Sequence, residues 1–435
     1  MTNEKSKIDK SKFVFVNNDN KGINDVALTT KQVGYYKDVF IRFKKNKASI
    51  VSFIIILVIL FFTLVGPVLK KVEPLSKSNE LSMTYLTPKI PILEKIGIFD
   101  GSKTVETNSK FINSLPEGIV IKIVEEGIGS DGNKTKAKVD YYKYVNYVSS
   151  YYTEDGVLAT RNLTLDEYNL ALERNAVIDL IEIKKMESDT LYVARIDAFR
   201  FALNQSPENT YFWFGTGADG KDLFTTMWNA ARISILLATI VSVVNLIIGT
   251  IIGAFIGYYG GWLDILFDRI IDILGSLPFI ALLTIIIVKF GSSVFVVFIA
   301  FVATGWLGSY GRTRMQFYRF KTREYVLAAR TLGARDRRIM FKHILPNGMG
   351  LMITAFSLSI PSFMFGEATY SYLGIIKYKG TVSIGELLSN GQAMMTNHPH
   401  LLLFPAIFIS VLMLSFNLLG NGLRDAFNPS LRGVE

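Results

Sequence analysis

The segment EYVLAARTLGARDRRIMFKHILP, residues 324–346, is basic, carries Ala328, Ala329 and Gly333 in its interior, and lies between two long apolar stretches. Tyr325 to Leu332 is a run of good helix formers, and Gly333 supplies a hinge or a stop. Asp336 is placed to cap a second helix running to His343, which Pro346 then ends just before the next apolar stretch. The expectation is two short arginine-rich helices with a turn, lying parallel to a membrane.

Composition supports the membrane. Half of the 435 residues are hydrophobic and the mean hydropathy is +0.31, with 31 Phe, 20 Tyr and no Cys. Soluble chains of this size sit near or below zero on that scale. Without cysteine there is neither a disulfide framework nor a thiolate metal site, and His343, His398 and His400 are the only imidazoles. The net charge of +10 invites a nucleic-acid partner, but its distribution speaks against one. Residues 72–205 hold 16 Lys and Arg against 20 Asp and Glu, a balance of −4, so the remainder carries +14. The surplus flanks the apolar stretches, as the positive-inside rule requires, and no nucleic-acid partner is expected.

Residues 1–48 are polar and rich in Lys and Asn, too long and too polar for a secretory n-region, and read as a cytoplasmic arm. The end of the arm, 39–47, is either an amphipathic surface segment or a basic anchor. Ser49 to Leu69 is an uncharged apolar run of about 20 residues, enough to cross roughly 30 Å of hydrocarbon, and the first transmembrane helix is set at 49–71. Residues 72–210 change character, with mixed charge and a β-rich patch at Ile119–Val124. They also hold six tyrosines between Tyr141 and Tyr152, and apolar residues at helical spacing from Glu167 to Ile183. This reads as an inserted extracytoplasmic α+β domain. Its tyrosines form a half-buried strand pair or, alternatively, a peptide-contacting surface.

Five further apolar stretches, 233–258, 270–290, 294–308, 350–366 and 401–419, lie within a core of 211–423, followed by a cytoplasmic tail at 424–435. Six spans put both termini on one side together with the 311–349 loop, whose ten basic residues oppose only Glu324 and Asp336. The 262–272 loop dissents, with Arg269 against Asp264, Asp268 and Asp272, but acids weigh little in the rule and suit a helix start. A polar helical segment flanked by spans on the inner face is a handle by which a separate machine can move them.

Within the spans, Gly249, Gly253 and Gly257 recur every four residues, a register that lets helix backbones approach closely. Pro278 and Pro361 interrupt the third and fifth spans, kinking them beside a pathway or shaping packing only. A charge at mid-bilayer costs about 2.5–3.5 kcal/mol on insertion scales, so an ionisable group in a span faces a cavity or a packing partner, and Glu367, near the outer end of the fifth span, is such a candidate. Ser276, like Asn245 and Ser359, is polar glue between helices or a ligand. Gly215 to Asp222 matches G-x-x-x-x-G-K of a phosphate-binding loop, but Asp222 stands where the magnesium-binding hydroxyl belongs and would repel phosphate. The sequence has no metalloprotease helix, catalytic triad or metal-ligating cluster, and no bond-making chemistry is expected of the chain.

These residues carry a family resemblance. Ala328, Ala329, Gly333, Leu345 and Pro346 resemble, in register, the EAA coupling loop of ABC importer permeases, whose pattern is E-A-A, three residues, G, nine residues, I-x-L-P. Leu327 stands at the pattern's Glu and His343 at its Ile. Phe214 to Asp222, followed by Ala231 to Ile235, is similar to F-G-T-D-x-x-G-R-D and G-x-R-x-S-L of oligopeptide/dipeptide permeases, with Gly217 and Lys221 as departures. Tyr258 to Asp264, with Asp272 and Pro278, is similar to the family's second core span. Glu367 to Gly374 resembles E-A-x-L-S-F-L-G, and Gly420 to Pro429 resembles G-D-x-L-R-D-A-L-D-P, with Asn421 and Asn428 in place of two acids.

The five matches are collinear from Tyr211 to Arg432 and leave 72–205 unaccounted for. The resemblance implies an all-α polytopic membrane protein with six transmembrane helices, the type I ABC importer permease fold, as the C-type subunit. It implies half of the translocation pathway of an ATP-driven importer for oligopeptides or dipeptides in a bacterial plasma membrane. It also implies partners: a homologous second permease, two cytoplasmic ABC ATPase subunits that bind the ATP and magnesium, an extracytoplasmic peptide-binding lipoprotein, and lipid. The chain itself would hold no cofactor. Glu324, Ala328, Ala329, Gly333, Arg337, Leu345 and Pro346 would form the ATPase-coupling loop. Glu367, Pro278, Pro361 and Ser276 are the candidates for pathway or packing. Two other readings stay open: a permease for nickel or another small solute within the same family, and a receptor with an outer sensor domain.

Overall fold

The computed structural model describes residues 35–69, 83–128, 132–185 apart from 154 and 156, and 190–427. The expectations for 1–34 of the arm and 428–435 of the tail lie outside the described residues. In chain order the helical start is α1 (Tyr35–Lys45) and α2 (Lys47–Leu69). The inserted region follows as β1 (Ser102–Asn108), α3 (Ser109–Ser114), β2 (Val120–Ile128), β3 (Lys134–Asp140), α4 (Tyr141–Ser150), β4 (Arg161–Leu163), α5 (Leu165–Glu173), β5 (Val177–Lys185), β6 (Thr190–Ile196) and α6 (Ala198–Leu203). The core is α7 (Leu223–Tyr259), α8 (Gly261–Ser276), α9 (Phe279–Phe290), α10 (Val294–Gly305), α11 (Leu307–Phe320), α12 (Glu324–Thr331), α13 (Asp336–Arg338), α14 (Leu345–Tyr372), α15 (Ile384–Ala393) and α16 (His400–Phe427).

Five helical stretches of the described residues are long and apolar enough to cross a membrane: Lys47–Leu69, Leu223–Tyr259, Val294–Phe320, Asp336–Tyr372 and His400–Phe427. A sixth is reached if α8 and α9 count as one span, for they qualify only as a pair bent by 74°. The straight run expected at 270–290 is therefore broken. Pro278 has no N–H to continue the ladder and holds Leu277 in an extended conformation, which ends α8 there.

Other span limits also move. The fourth extends to Phe320, so Arg312, Arg314 and Arg319 of the expected loop ride on its last turns. Pro346 does not end a helix: α13 passes through a π-helical turn, Ile339–Ile344, into α14, and Pro346 sits in the first turn of that helix. A proline there sacrifices no intrahelical bond, because the first-turn N–H groups have no partner within the helix.

The long helix α7 is the centre of the bundle. Gly249, Gly253 and Gly257 lie against α11 so closely that a Cβ on each would stand 2.6, 2.6 and 2.8 Å from the backbone oxygens of Trp306, Tyr310 and Arg314. Its other sides pack on α2, α14 and α16 through a core that includes Ile59, Phe224, Met227, Trp228, Met364, Phe408 and Leu412.

The inserted region holds two three-stranded antiparallel sheets, ordered β1-β3-β2 and β4-β6-β5. The tyrosine run is not a strand pair. Asp140 accepts hydrogen bonds from the N–H groups of Tyr142 and Lys143, which starts α4, and Tyr142 and Tyr144 are buried on opposite faces of it, Tyr142 against Phe199 and Phe212 and Tyr144 against Phe111 and Ala137. The helical spacing expected from Glu167 to Ile183 holds only to Glu173. Asn175 then turns with φ +52°, and Val177 begins β5. The β-rich patch does lie in a strand, β2, from Val120 onward.

Candidate functional site: the 321–346 segment and its anchorage

Two short helices, α12 and α13, lie across the ends of α7 and α11 at the basic end of the bundle. The underside of α12, and of the π-helical turn that continues α13, is apolar. Val326, Ile339, Met340 and Ile344 are buried with Ala254, Tyr258 and Phe317. The outward side is different in kind: Glu324, Ala328, Arg335, Arg337 and Arg338 are exposed, Ala329 is half-buried, and Leu332 at the turn is 88% exposed. Gly333 takes φ +77° in open space, which lets Ala334 N–H return to Ala329 C=O at 3.0 Å and reverses the chain. Arg335, Arg337, Arg338, Phe341, Lys342 and Pro346 line an open cleft of about 530 Å³ beside the turn. Leu345 and Pro346 are half-buried where α14 begins. The seven residues expected in this segment thus fall in one continuous region.

What straps the segment to the spans was not anticipated. Tyr258, in the last turn of α7, donates its hydroxyl hydrogen to Asp336 at 2.5 Å and accepts from Arg330 at 3.1 Å. The Arg330 guanidinium also lies over the Tyr258 ring, 5.6 Å from its centroid. Asp336 is therefore not the cap of α13; Arg335 occupies that position, and the Asp336 carboxylate is turned to the tyrosines of α7. Lys321 donates to the C=O of Gly257 and Tyr258 at 3.0 and 3.5 Å, covering carbonyls that the end of α7 leaves open. Burial pulls the Lys321 ammonium below its ordinary range, against the upward pull of Asp264.

The dissenting acids of 262–272 find their place here. Arg314 on α11 donates to Asp264 at 2.6 and 2.9 Å and to Asp268 at 2.8 Å, and the Tyr318 hydroxyl also reaches Asp264. Two carboxylates of α8 are thus counter-ions of an arginine on the neighbouring span. The sequence signal was available in the i, i+4 spacing of Asp264 and Asp268, but the identity of their cation was not.

The remaining four candidates do not join this region or one another across elements. Glu367 in α14 is 2% exposed and accepts from Ser234 of α7 at 2.8 Å and from Ser371 at 3.0 Å. Pro361 is buried in α14. Ser276 is exposed and donates back to Ile273 C=O of its own helix, two residues before the break at Pro278. Gly215 to Asp222, the phosphate-loop look-alike, is a turn in which Thr216 bridges to Asp222 and Asp222 caps α7 through Thr225. Its carboxylate already serves the helix N-terminus.

A bundle of helices long and apolar enough to cross a membrane, with a polar, basic, two-helix segment strapped across its ends, is the architecture of a multi-pass membrane protein. Residues 249–433 match the family described as binding-protein-dependent transport system inner membrane component, and residues 34–88 match the N-terminal TM domain of oligopeptide transport permease C. The chain is 40% identical over 226 residues to the oligopeptide transport system permease protein OppC of Bacillus subtilis, which covers 52% of this chain and 74% of that one. It is 38% identical over 227 residues to the dipeptide transport permease DppC of the same organism, covering 52% and 71%. It is 37% identical over 232 residues to the glutathione transport permease GsiD of Shigella flexneri, covering 53% and 76%.

The chain belongs to the OppC/DppC family of binding-protein-dependent ABC transporter permeases. It is thus a non-catalytic transmembrane component of an importer that has ATPase and other subunits besides. A solved structure described as "Inward facing conformations of the MetNI methionine ABC transporter: CY5 native crystal form" is similar over 46% of this chain and 97% of that one, at 17% identity and TM-score 0.38, too loosely to support a conclusion. Neither family match reaches residues 89–248.

Proposed function

We propose that this chain forms half of the pathway of a peptide importer and that the 324–346 segment is where an ATPase subunit docks. The single observation that carries this is the two-sidedness of α12 and of α13 with the π-helical turn that continues it. One side is buried against the ends of α7 and α11, while the other offers small residues, a protruding Leu332 and a basic cleft to a partner. In this reading Ala328 and Ala329 seat in a partner's groove, Glu324 and Arg337 meet its charges, and Gly333, Leu345 and Pro346 set the angle at which motion enters α14. The relatives named for oligopeptides, dipeptides and glutathione all handle peptides, which supports a short peptide as the cargo. A second permease, two ATPases carrying ATP and magnesium, and a peptide-binding lipoprotein complete the assembly, with both termini in the cytoplasm of a bacterial cell and 72–210 outside. Glu367, Pro361, Pro278 and Ser276 then shape helix packing around the pathway.

The test uses the absence of cysteine. Single-cysteine variants at Leu332 and at Glu117 should be labelled by an impermeant reagent from opposite faces of the membrane. Replacing Ala328 to Gly333 by a Gly-Ser linker should abolish peptide uptake and ATPase co-purification. Labelling of both positions from the same face, or uptake undisturbed by the linker, would overturn the assignment.

A further inference from the structure

Among the long helices of the described residues, α7 alone has neither an internal proline nor an interruption. Pro67 lies in α2, Pro361 in α14 and Pro405 in α16; α8 and α9 part at Pro278, and α10 and α11 part at Trp306. Kinks and breaks absorb displacement, whereas 37 uninterrupted residues make a rod of about 55 Å. Both ends of this rod are tied. At one end Tyr258 holds Arg330 and Asp336. At the other, Leu223 N–H bonds to Gly215 C=O at 2.9 Å, and Thr216 bonds to the backbone of Leu86 and Met83. Leu86, Met83 and Phe212 are then buried against Tyr142 and Phe199 of the inserted domain, with Tyr142 donating to Thr87 C=O at 2.8 Å. The contacts are contiguous from the dock to the insert.

We propose that α7 carries the displacement of the 324–346 segment to the inserted domain, with Tyr258 as the positioning residue that couples rod to segment. This rests on the reading of that segment as the ATPase dock. The experiment is a spin-label distance between cysteines at Glu117 in the insert and Val288 on α9, measured in the assembled, membrane-reconstituted transporter without nucleotide and after trapping with ATP and vanadate. The distance should change on trapping in the wild type and change by less than half as much in Tyr258→Phe, which keeps the ring and loses the hydroxyl. Asp336→Asn, which keeps an oxygen for that hydroxyl, should retain most of the change. Peptide imported per ATP hydrolysed should fall severalfold in Tyr258→Phe. No change in the wild type, or the same change in Tyr258→Phe, overturns the rod while ATPase co-purification persists. Loss of co-purification from the wild-type complex would instead sink the docking reading beneath it.

An independent observation concerns the insert itself. Its two sheets repeat one β-α-β-β-α order, and from Gly118 onward an offset of 57 residues superposes their details, against 56 between β1 and β4. Ala137, Lys138, Val139, Asp140, Tyr142, Lys143 and Tyr144 correspond to Ala194, Arg195, Ile196, Asp197, Phe199, Arg200 and Phe201. Strand register agrees pair by pair, Val120 on Val139 with Val177 on Ile196, and Ile123 on Ala137 with Leu180 on Ala194, including the bulges between them. Gly118 and Asn175 both take positive φ. Asp140 N–H bonds to Ile119 C=O at 2.8 Å, and Asp197 N–H bonds to Ala176 C=O at 2.7 Å.

We infer that residues 102–203 are a tandem duplication of one unit, whose equivalent residues Tyr142 and Phe199 meet where the units join. In the full chain, grafting 175–202 in place of 118–145 should leave the insert resistant to trypsin. Grafting 176–203 into the same place, one residue out of register, should leave it degraded. Equal behaviour of the two grafts would overturn the duplication.

Discussion

The basic end of the bundle and the inserted domain are both rich in charge, and the charges serve differently. In the insert, Lys134 and Glu106 meet at 3.5 Å with 59% and 45% of their side chains exposed. At the basic end, Arg314 and Asp264 are only 24% and 13% exposed; Arg314 donates two hydrogen bonds to Asp264 and a third to Asp268, joining residues of two helices 50 apart in sequence. An ion pair holds structure where it is desolvated, bidentate and networked, and does little where water competes for both partners. The same contrast runs through the glycines. In the insert Gly97 looks into open space, whereas Gly253 in the core meets a carbonyl.

Substitutions can break or sharpen that contrast. The largest effect is expected from Gly253→Val, which drives a Cβ to 2.6 Å from Tyr310 C=O and 3.0 Å from Thr313; folded permease should be lost from detergent extracts on size exclusion. Next comes Glu367→Ala. It leaves Ser234 and Ser371 without their acceptor inside the bundle and should cost about 3 kcal/mol by thermal melting, while Glu367→Gln should recover most of it. A midpoint unchanged in the alanine variant would remove Glu367 from the packing.

A third effect lies at the seam of the two regions. Burial, helped by Lys103, holds His398 down to about 4, below its ordinary 6.5, with its ring stacked on Tyr85. The unfolded chain therefore binds the extra proton first, so this contribution is complete above pH 6.5 and is lost as pH falls toward 4, by about 2 kcal/mol. His398→Phe should lessen, though not abolish, the fall in stability across that window, since His400 stays buried beside it. Arg314→Met should cost about 1–2 kcal/mol and free α8 for proteolysis. Lys134→Met should change the melting of the insert by less than about 0.5 kcal/mol. If the last two variants behave alike, the distinction between networked and isolated charge fails.

Much of the core was legible in sequence because hydrocarbon imposes a simple rule: the apolar run must be long enough and its backbone bonds internal. The ends of the spans were less legible. Pro346 looked like a stop and is a first-turn proline, and 311–320 looked like loop and is helix. Both errors have one cause, since a helix leaving the membrane keeps its backbone bonds while its side chains turn polar. In the insert the tyrosine run misled because aromatic residues suit strands, yet Asp140 caps a helix there, and Tyr142 and Tyr144 are buried on its two opposite faces. Of the candidate site, Ala328, Ala329 and Gly333 stood out by spacing. Tyr258, Lys321 and Arg314 did not, because nothing local marks a residue whose partner lies tens of residues away.

The sequence by itself determined that this chain is a helical membrane protein with an α+β insert and a basic two-helix segment, because each follows from composition and short-range periodicity. Only the tertiary structure decided that Asp336 faces Tyr258, that the acids of α8 serve Arg314, and that one unbroken helix joins the segment to the insert. Those pairings depend on which helix ends are brought side by side, and that is set by close packing along the whole bundle.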